Sequence, residues 1–295
     1  MNRRTLLFGG VAVTLGAGLL VPSSTPAVAA PAAGATPAAA YPAAAAAMRA
    51  AGGPYAGWVG SGRRFLEFDP RGDGTAVEVV GDLATADRIA VVVPGVDTTL
   101  ATFTSGLGGV ERRAPATQAR EVYAAARVAD PDTHLAVVAW LGYDPPEGIG
   151  LEAAREVRAH AGARNLDAFT RWLADRRPEA RITLIGHSYG AVVVGLAAPA
   201  LPPQVTALVA LGAPGMGADD VAGLHTRAAV CSALAPTDWI RRLPQVRLLG
   251  LGLGTRPSSG SFGATALPTG GVQGHDYYFS PGTASLAAVA AVVTK

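Results

Sequence analysis

The chain has 295 residues, 49% of them hydrophobic and only 16% charged, so it carries ample apolar material for a sizeable buried core. Its formal net charge of +2 rests on Arg3 and Arg4; without the first 29 residues the balance is zero, which removes the electrostatic case for a nucleic-acid or anionic-membrane partner. A single cysteine, Cys231, excludes an internal disulfide and reads as a small core residue. There is no paired-histidine or cysteine-cluster pattern for a metal and no glycine-lysine loop for phosphate, so no cofactor is expected.

Residues 1–29 run from a basic start through an apolar stretch, Leu6 to Val21, to the small residues Ala27-Val28-Ala29. That order is the layout of an export signal, and the apolar stretch is short for a membrane span. Arg3-Arg4 followed by Thr5-Leu6-Leu7 matches a twin-arginine signal, so an exported, secreted or envelope-associated protein is expected. An uncleaved anchor is the alternative; after cleavage no integral span is expected. Residues 30–50 are Ala/Pro-rich and read as a spacer, with a helix able to begin in the alanine run Ala43 to Ala51. Residues 51–295 then read as one domain.

In that domain Arg64 to Phe68 and Thr75 to Val80 flank a Pro/Gly/Asp turn, predicting an opening hairpin. Five short, nearly continuous apolar runs follow: 88–95, 134–142, 181–188, 205–214 and 228–236. Each ends near Gly or Pro, as strands buried on both faces do. Helical stretches separate or follow them: Thr117 to Ala129, Leu151 to Arg177 as two helices or one bent, Tyr189 to Leu201, and a closing helix over Thr283 to Val293. Strand-helix alternation predicts an α/β fold, a mostly parallel sheet with helices on both faces. A last strand within 260–271 is poorly marked.

The strand at 181–187 runs into Gly186-His187-Ser188-Tyr189-Gly190 and a helix follows. A serine between two glycines at a strand-to-helix turn is either a turn former or a nucleophile lifted above the sheet edge, and the context favours the nucleophile. It needs a base. Of five histidines, His134 opens a strand, His160 lies in a helix and His187 adjoins the serine, where its ring should point elsewhere. His275, in a Gly-rich loop before the closing helix, has the place in chain order that a Ser…Asp/Glu…His triad requires, with His225 as substitute. For the acid, Asp238 follows the strand holding Cys231. Asp219 and Asp220 are rivals, and a helix cap is the alternative role for Asp238. Two backbone donors for an oxyanion are expected from Tyr189 and from the loop Pro94 to Thr99, through Val96 or Asp97. Asp97 could equally cap a short helix over Thr98 to Phe103.

The segments VVVPGVDTTL, WLGYDPP, LIGHSYGAVVVGLAA, LGAPGM and GHDYY resemble the α/β-hydrolase superfamily over residues 60–295. More narrowly they are similar to an actinobacterial, exported α/β-hydrolase family of unknown function. The resemblance implies Ser188, Asp238 and His275 as a catalytic triad. The expected reaction is hydrolysis of a carboxylic ester or related acyl bond in a small-molecule or lipid-like substrate through an acyl-enzyme. An acyltransferase of the same chemistry and a catalytically silent binding scaffold are the alternatives. Only Gly215 to Arg227 separate the sixth and seventh strands, so no large lid fits there. The loop Gly142 to Gly150, with Tyr143 and the preceding Trp140, could line a substrate pocket or pack beneath the next helix.

Overall fold

The computed structural model describes residues 31–32, 34–148, 150–243, 245 and 252–295. The export signal read over 1–29 lies outside them. Eight strands form a single sheet: β1 Arg64–Asp69, β2 Thr75–Gly81, β3 Arg88–Val93, β4 Leu135–Leu141, β5 Arg181–His187, β6 Val205–Leu211, β7 Ala229–Ala233 and β8 Thr265–Ala266. Their order is β1-β2-β4-β3-β5-β6-β7-β8. β2 pairs antiparallel with β1 and β4, and every pair from β4 through β8 is parallel.

The helices are α1 Pro37–Ala51, α2 Gly53–Gly60, α3 Pro115–Ala129, α4 Leu151–Ala154, α5 Val157–Arg176, α6 Gly190–Ala197 and α7 Ala284–Val293. Alternate strand residues enter opposite layers, as the two-residue repeat of a strand demands. Ile89, Val91 and Val93 pack with residues of α5 and α6, while Ala90 and Val92 pack with those of α3 and α7. Both faces are therefore covered, which is why the central strands carry few polar positions. Among the described residues no helix is long and apolar enough to cross a membrane.

One expectation changes. The stretch read as a spacer holds α1, which begins six residues before the alanine run and buries Ala40, Ala44 and Met48. Residues four apart fall on one helix face, and alanine is the strongest helix former, so this stripe can lie along the edge strand despite Pro42. The Ala35 carbonyl is held as well, accepting from Trp172 Nε1 (3.2 Å) and Arg176 Nε (2.6 Å). The long helical stretch after β4 is two helices, parted at Glu156, whose left-handed φ of 57° no Gly or Pro announces. The poorly marked last strand is β8, two residues long beside β7.

Sheet order places β5 in the middle, between β3 and β6. Because β3, β5, β6 and β7 are parallel, the loops leaving them all emerge at one edge. That edge gathers Gly95, Ser188, Gly212 and Asp238.

Candidate active site

The turn after β5 is built by exclusion of side chains. Ser188 has a φ of 55°, a left-handed conformation that costs a non-glycine residue on the order of 1 kcal/mol or more and persists only when neighbours enforce it. Here they do. A Cβ on Gly186 would lie 2.4 Å from Ala191 Cα, and one on Gly190 would lie 2.2 Å from the Val93 carbonyl oxygen. The Ser188 N–H is tied to the Leu211 carbonyl of β6 at 2.9 Å. The loop after β3 approaches as closely: a Cβ on Gly95 would stand 2.8 Å from Ser188 Cβ.

Ser188 lines a cavity of about 340 Å³ together with Val96, Asp97, Trp239, His275 and Asp276. The His275 ring lies between two aromatic neighbours, His187 at 4.8 Å and Trp239 at 4.9 Å between ring centroids. Its Nδ1 is 3.0 Å from each oxygen of Asp238. Asp238 is only 2% exposed. Its carboxylate also accepts from the Ile240 N–H (2.9 Å) and the Tyr278 hydroxyl (2.6 Å). Burial alone would raise this carboxyl's pKa, but the donors from His275, Tyr278 and Ile240 outweigh it and hold it below the ordinary value. Asp238 thus caps the turn Trp239–Arg242 and holds His275 at once. The neighbouring Thr237 fastens the histidine loop. Its hydroxyl donates to the Val272 carbonyl (3.2 Å) and accepts the Gly274 N–H (2.8 Å).

The remaining sequence candidates separate cleanly. Asp219, Asp220, His134, His160 and His225 are exposed, and Asp220 accepts from Gly223 N–H within its own turn. Asp276 turns from Asp238 to pair with Arg113 at 2.7 Å. Tyr189 sends its ring into the core, leaving its backbone beside the serine. Asp97 heads no helix. The residues after it form turns, and its Oδ1 accepts the Gly148 N–H (2.7 Å) while its own N–H goes to the Pro146 carbonyl (3.1 Å). Of the Gly142 to Gly150 loop, Gly148 reaches the cavity. Tyr143 packs under α5 against Gly162 and donates to the Pro94 carbonyl (2.7 Å), so it props the loop after β3 from behind. The cavity wall comes instead from the excursion between β3 and α3, through Leu107 and Arg113.

Sequence reasoning missed His187, Tyr278 and Arg113. The His187 Nε2–H donates to the His275 carbonyl at 2.8 Å, and a carbonyl can only accept, so Nε2 carries the proton. Burial, and after it the neighbouring His275, lowers its pKa to about 4, which keeps the ring neutral. Each of the three acts through a partner distant in sequence and carries no local pattern.

The family pattern described as alpha/beta hydrolase matches residues 69–248, more than half of the chain. The chain belongs to the alpha/beta hydrolase family. The match includes Ser188 and Asp238 and stops before His275. Uncharacterized protein Rv2079 of Mycobacterium tuberculosis (strain ATCC 25618 / H37Rv) is 29% identical over 258 residues, covering 77% of this chain and 38% of that protein. Uncharacterized protein Rv0963c of the same strain is 33% identical over 150 residues, 50% of this chain and 54% of that one. The chain therefore spans 38% to 54% of the length of these relatives. XC6422 from Xanthomonas campestris, described as an a/b serine hydrolase without lid, superposes with a TM-score of 0.40 at 17% identity, over 78% of this chain and 91% of that one.

Proposed function

We propose that this alpha/beta hydrolase is a serine esterase, with Ser188 as nucleophile, His275 as general base and Asp238 as the acid that orients it. One observation carries the reading: a serine in enforced left-handed geometry shares a cavity with an imidazole whose far nitrogen faces a buried carboxylate at 3.0 Å. An ionised carboxylate can only accept, so His275 Nδ1 bears the proton and Nε2 is free to take one. As Ser188 Oγ attacks the acyl carbonyl, its proton passes to Nε2 and Asp238 balances the imidazolium charge. The imidazolium then protonates the departing alcohol. Water, deprotonated by the same nitrogen, releases the acid and restores the serine.

The developing oxyanion needs donors already aimed. Tyr189 N–H, beside the serine at the start of α6, is one. Because Pro146 takes the Asp97 N–H, the Val96 N–H is the second. The cavity is at the small end of ligand sites, which favours a compact or short acyl group. Arg113 is already paired with Asp276 and so offers little to an anionic substrate. Export, read from residues 1–29, belongs to the same proposal.

The test is active-site labelling. A serine-directed fluorophosphonate should modify the folded protein once and leave Ser188→Ala untouched, and short-chain nitrophenyl esters should be cleaved by the parent alone. A folded protein that takes up no label would favour the binding-scaffold reading. Turnover accelerated by added alcohol without further acid release would favour acyl transfer.

A further inference from the structure

We propose that Tyr278 is a positioning residue of this site: its buried hydroxyl, together with the acid's own loop, aims the Asp238 carboxylate at His275. The inference rests on the esterase reading above and extends it to a residue outside the triad. The direction of the phenolic proton is fixed by its surroundings. The Ala235 N–H donates to the Tyr278 oxygen at 2.9 Å, which leaves the phenolic hydrogen for Asp238 Oδ2 at 2.6 Å. Ile240 N–H occupies Oδ1 from the other side at 2.9 Å. A carboxylate turns readily about its Cβ–Cγ bond. One donor on each oxygen sets that rotation, and the result is the even 3.0 Å spacing of both oxygens from His275 Nδ1.

The hydroxyl also joins two chain segments. Ala235 and Asp238 follow β7, whereas His275 and Tyr278 belong to the loop before α7. Tyr278 is itself firmly seated: it is fully buried, and its carbonyl accepts the Ser285 hydroxyl at 2.6 Å. Gly212 at the end of β6 makes room for the whole cluster. A Cβ there would stand 2.9 Å from both Asp238 Oδ2 and the Tyr278 ring, and 3.1 Å from His275 Cε1. Phenylalanine would fill the same space, so packing alone does not account for a hydroxyl with both of its hydrogen bonds made.

The experiment is a double-mutant cycle of Tyr278→Phe and Asp238→Asn, with rates of nitrophenyl butyrate hydrolysis divided by the sites that fluorophosphonate titrates. Tyr278→Phe is expected to lower kcat about tenfold with KM little changed, and to change it less than about twofold when Asp238 is already Asn. The acid limb of kcat/KM gives a second readout. The groups facing His275 are Asp238, the neutral His187 and the Arg113-paired Asp276. Loss of the phenol leaves more charge on Asp238 alone, so the limb should move to higher pH. Losses that multiply, an unmoved acid limb, or undiminished kcat in Tyr278→Phe would overturn the role. A wild-type protein with no titratable site would overturn the esterase reading and this role with it, an outcome distinct from multiplicative losses in an active enzyme.

Discussion

The turn that carries Ser188 and the loop that carries His275 meet at one cavity but are held by opposite means. Around Ser188 the fastening is backbone to backbone, the Ser188 N–H to the Leu211 carbonyl and the Ala191 N–H to the Ser188 carbonyl. Its shape follows from backbone packed so closely that Gly95, Gly186 and Gly190 have no room for a methyl group. The His275 loop has the reverse character. It is irregular, and it is pinned by side chains: His187 on its carbonyl, Thr237 on Gly274, Arg113 on Asp276, Asp238 on the ring. The first region should therefore fail when atoms are added, and the second when polar atoms are taken away.

Asp238→Asn tests the polar region hardest. It keeps the shape but replaces the acceptor pair with an amide, so kcat should drop on the order of 10³-fold or more while the fluorophosphonate site survives at a much slower labelling rate. A loss under about tenfold would detach the acid from the mechanism. Gly190→Ala tests the packed region. Its new methyl would collide with the Val93 and Pro94 carbonyls, backbone that cannot swing aside, so a loss of stability of about 3 kcal/mol and most of the activity is expected in denaturant titration. Retention of wild-type stability would mean that the turn is not set by crowding.

His187→Phe keeps a ring against His275 but removes the donor to its carbonyl, and activity should fall about tenfold. It also carries a pH signature. The His187 pKa in the fold is about 4, below the ordinary 6.5. The unfolded chain binds more protons between those values, so wild-type stability must decline as pH falls through that window. The phenylalanine variant should lose this part of the decline, read from unfolding midpoints at about pH 7 and about pH 4.5. Equal slopes in both proteins would show that the ring is not held neutral. Arg113→Gln is the gentlest change, because the ion pair is partly exposed, with side-chain exposures of 36% and 22%. A stability loss under about 1 kcal/mol and a few-fold lower kcat/KM are expected. Half-molar salt should reproduce part of that in the wild type and little in the variant.

The glycine pattern around Ser188 marks the strand-to-helix turn in the sequence, but only Gly186 is crowded by its local chain, at Ala191; Gly190 is crowded by the Val93 and Pro94 carbonyls, which the fold brings there. The sheet was legible as well: strands buried on both faces can carry few polar residues, so their apolar runs stand out. α1 was misread because alanine and proline suit both an extended linker and a packed helix, and only the presence of an edge strand to lie against favours the helix. Chain order nominated Asp238 and His275, but it could not choose between Asp238 and Asp219 or Asp220. The fold sets them apart in their surroundings: Asp238 is buried against His275, and Asp219 and Asp220 are exposed. Tyr278, His187 and Arg113 were decided by tertiary structure alone. A hydrogen bond between groups tens of residues apart imposes no period and no spacing on the sequence, so it becomes visible only when the chain has folded.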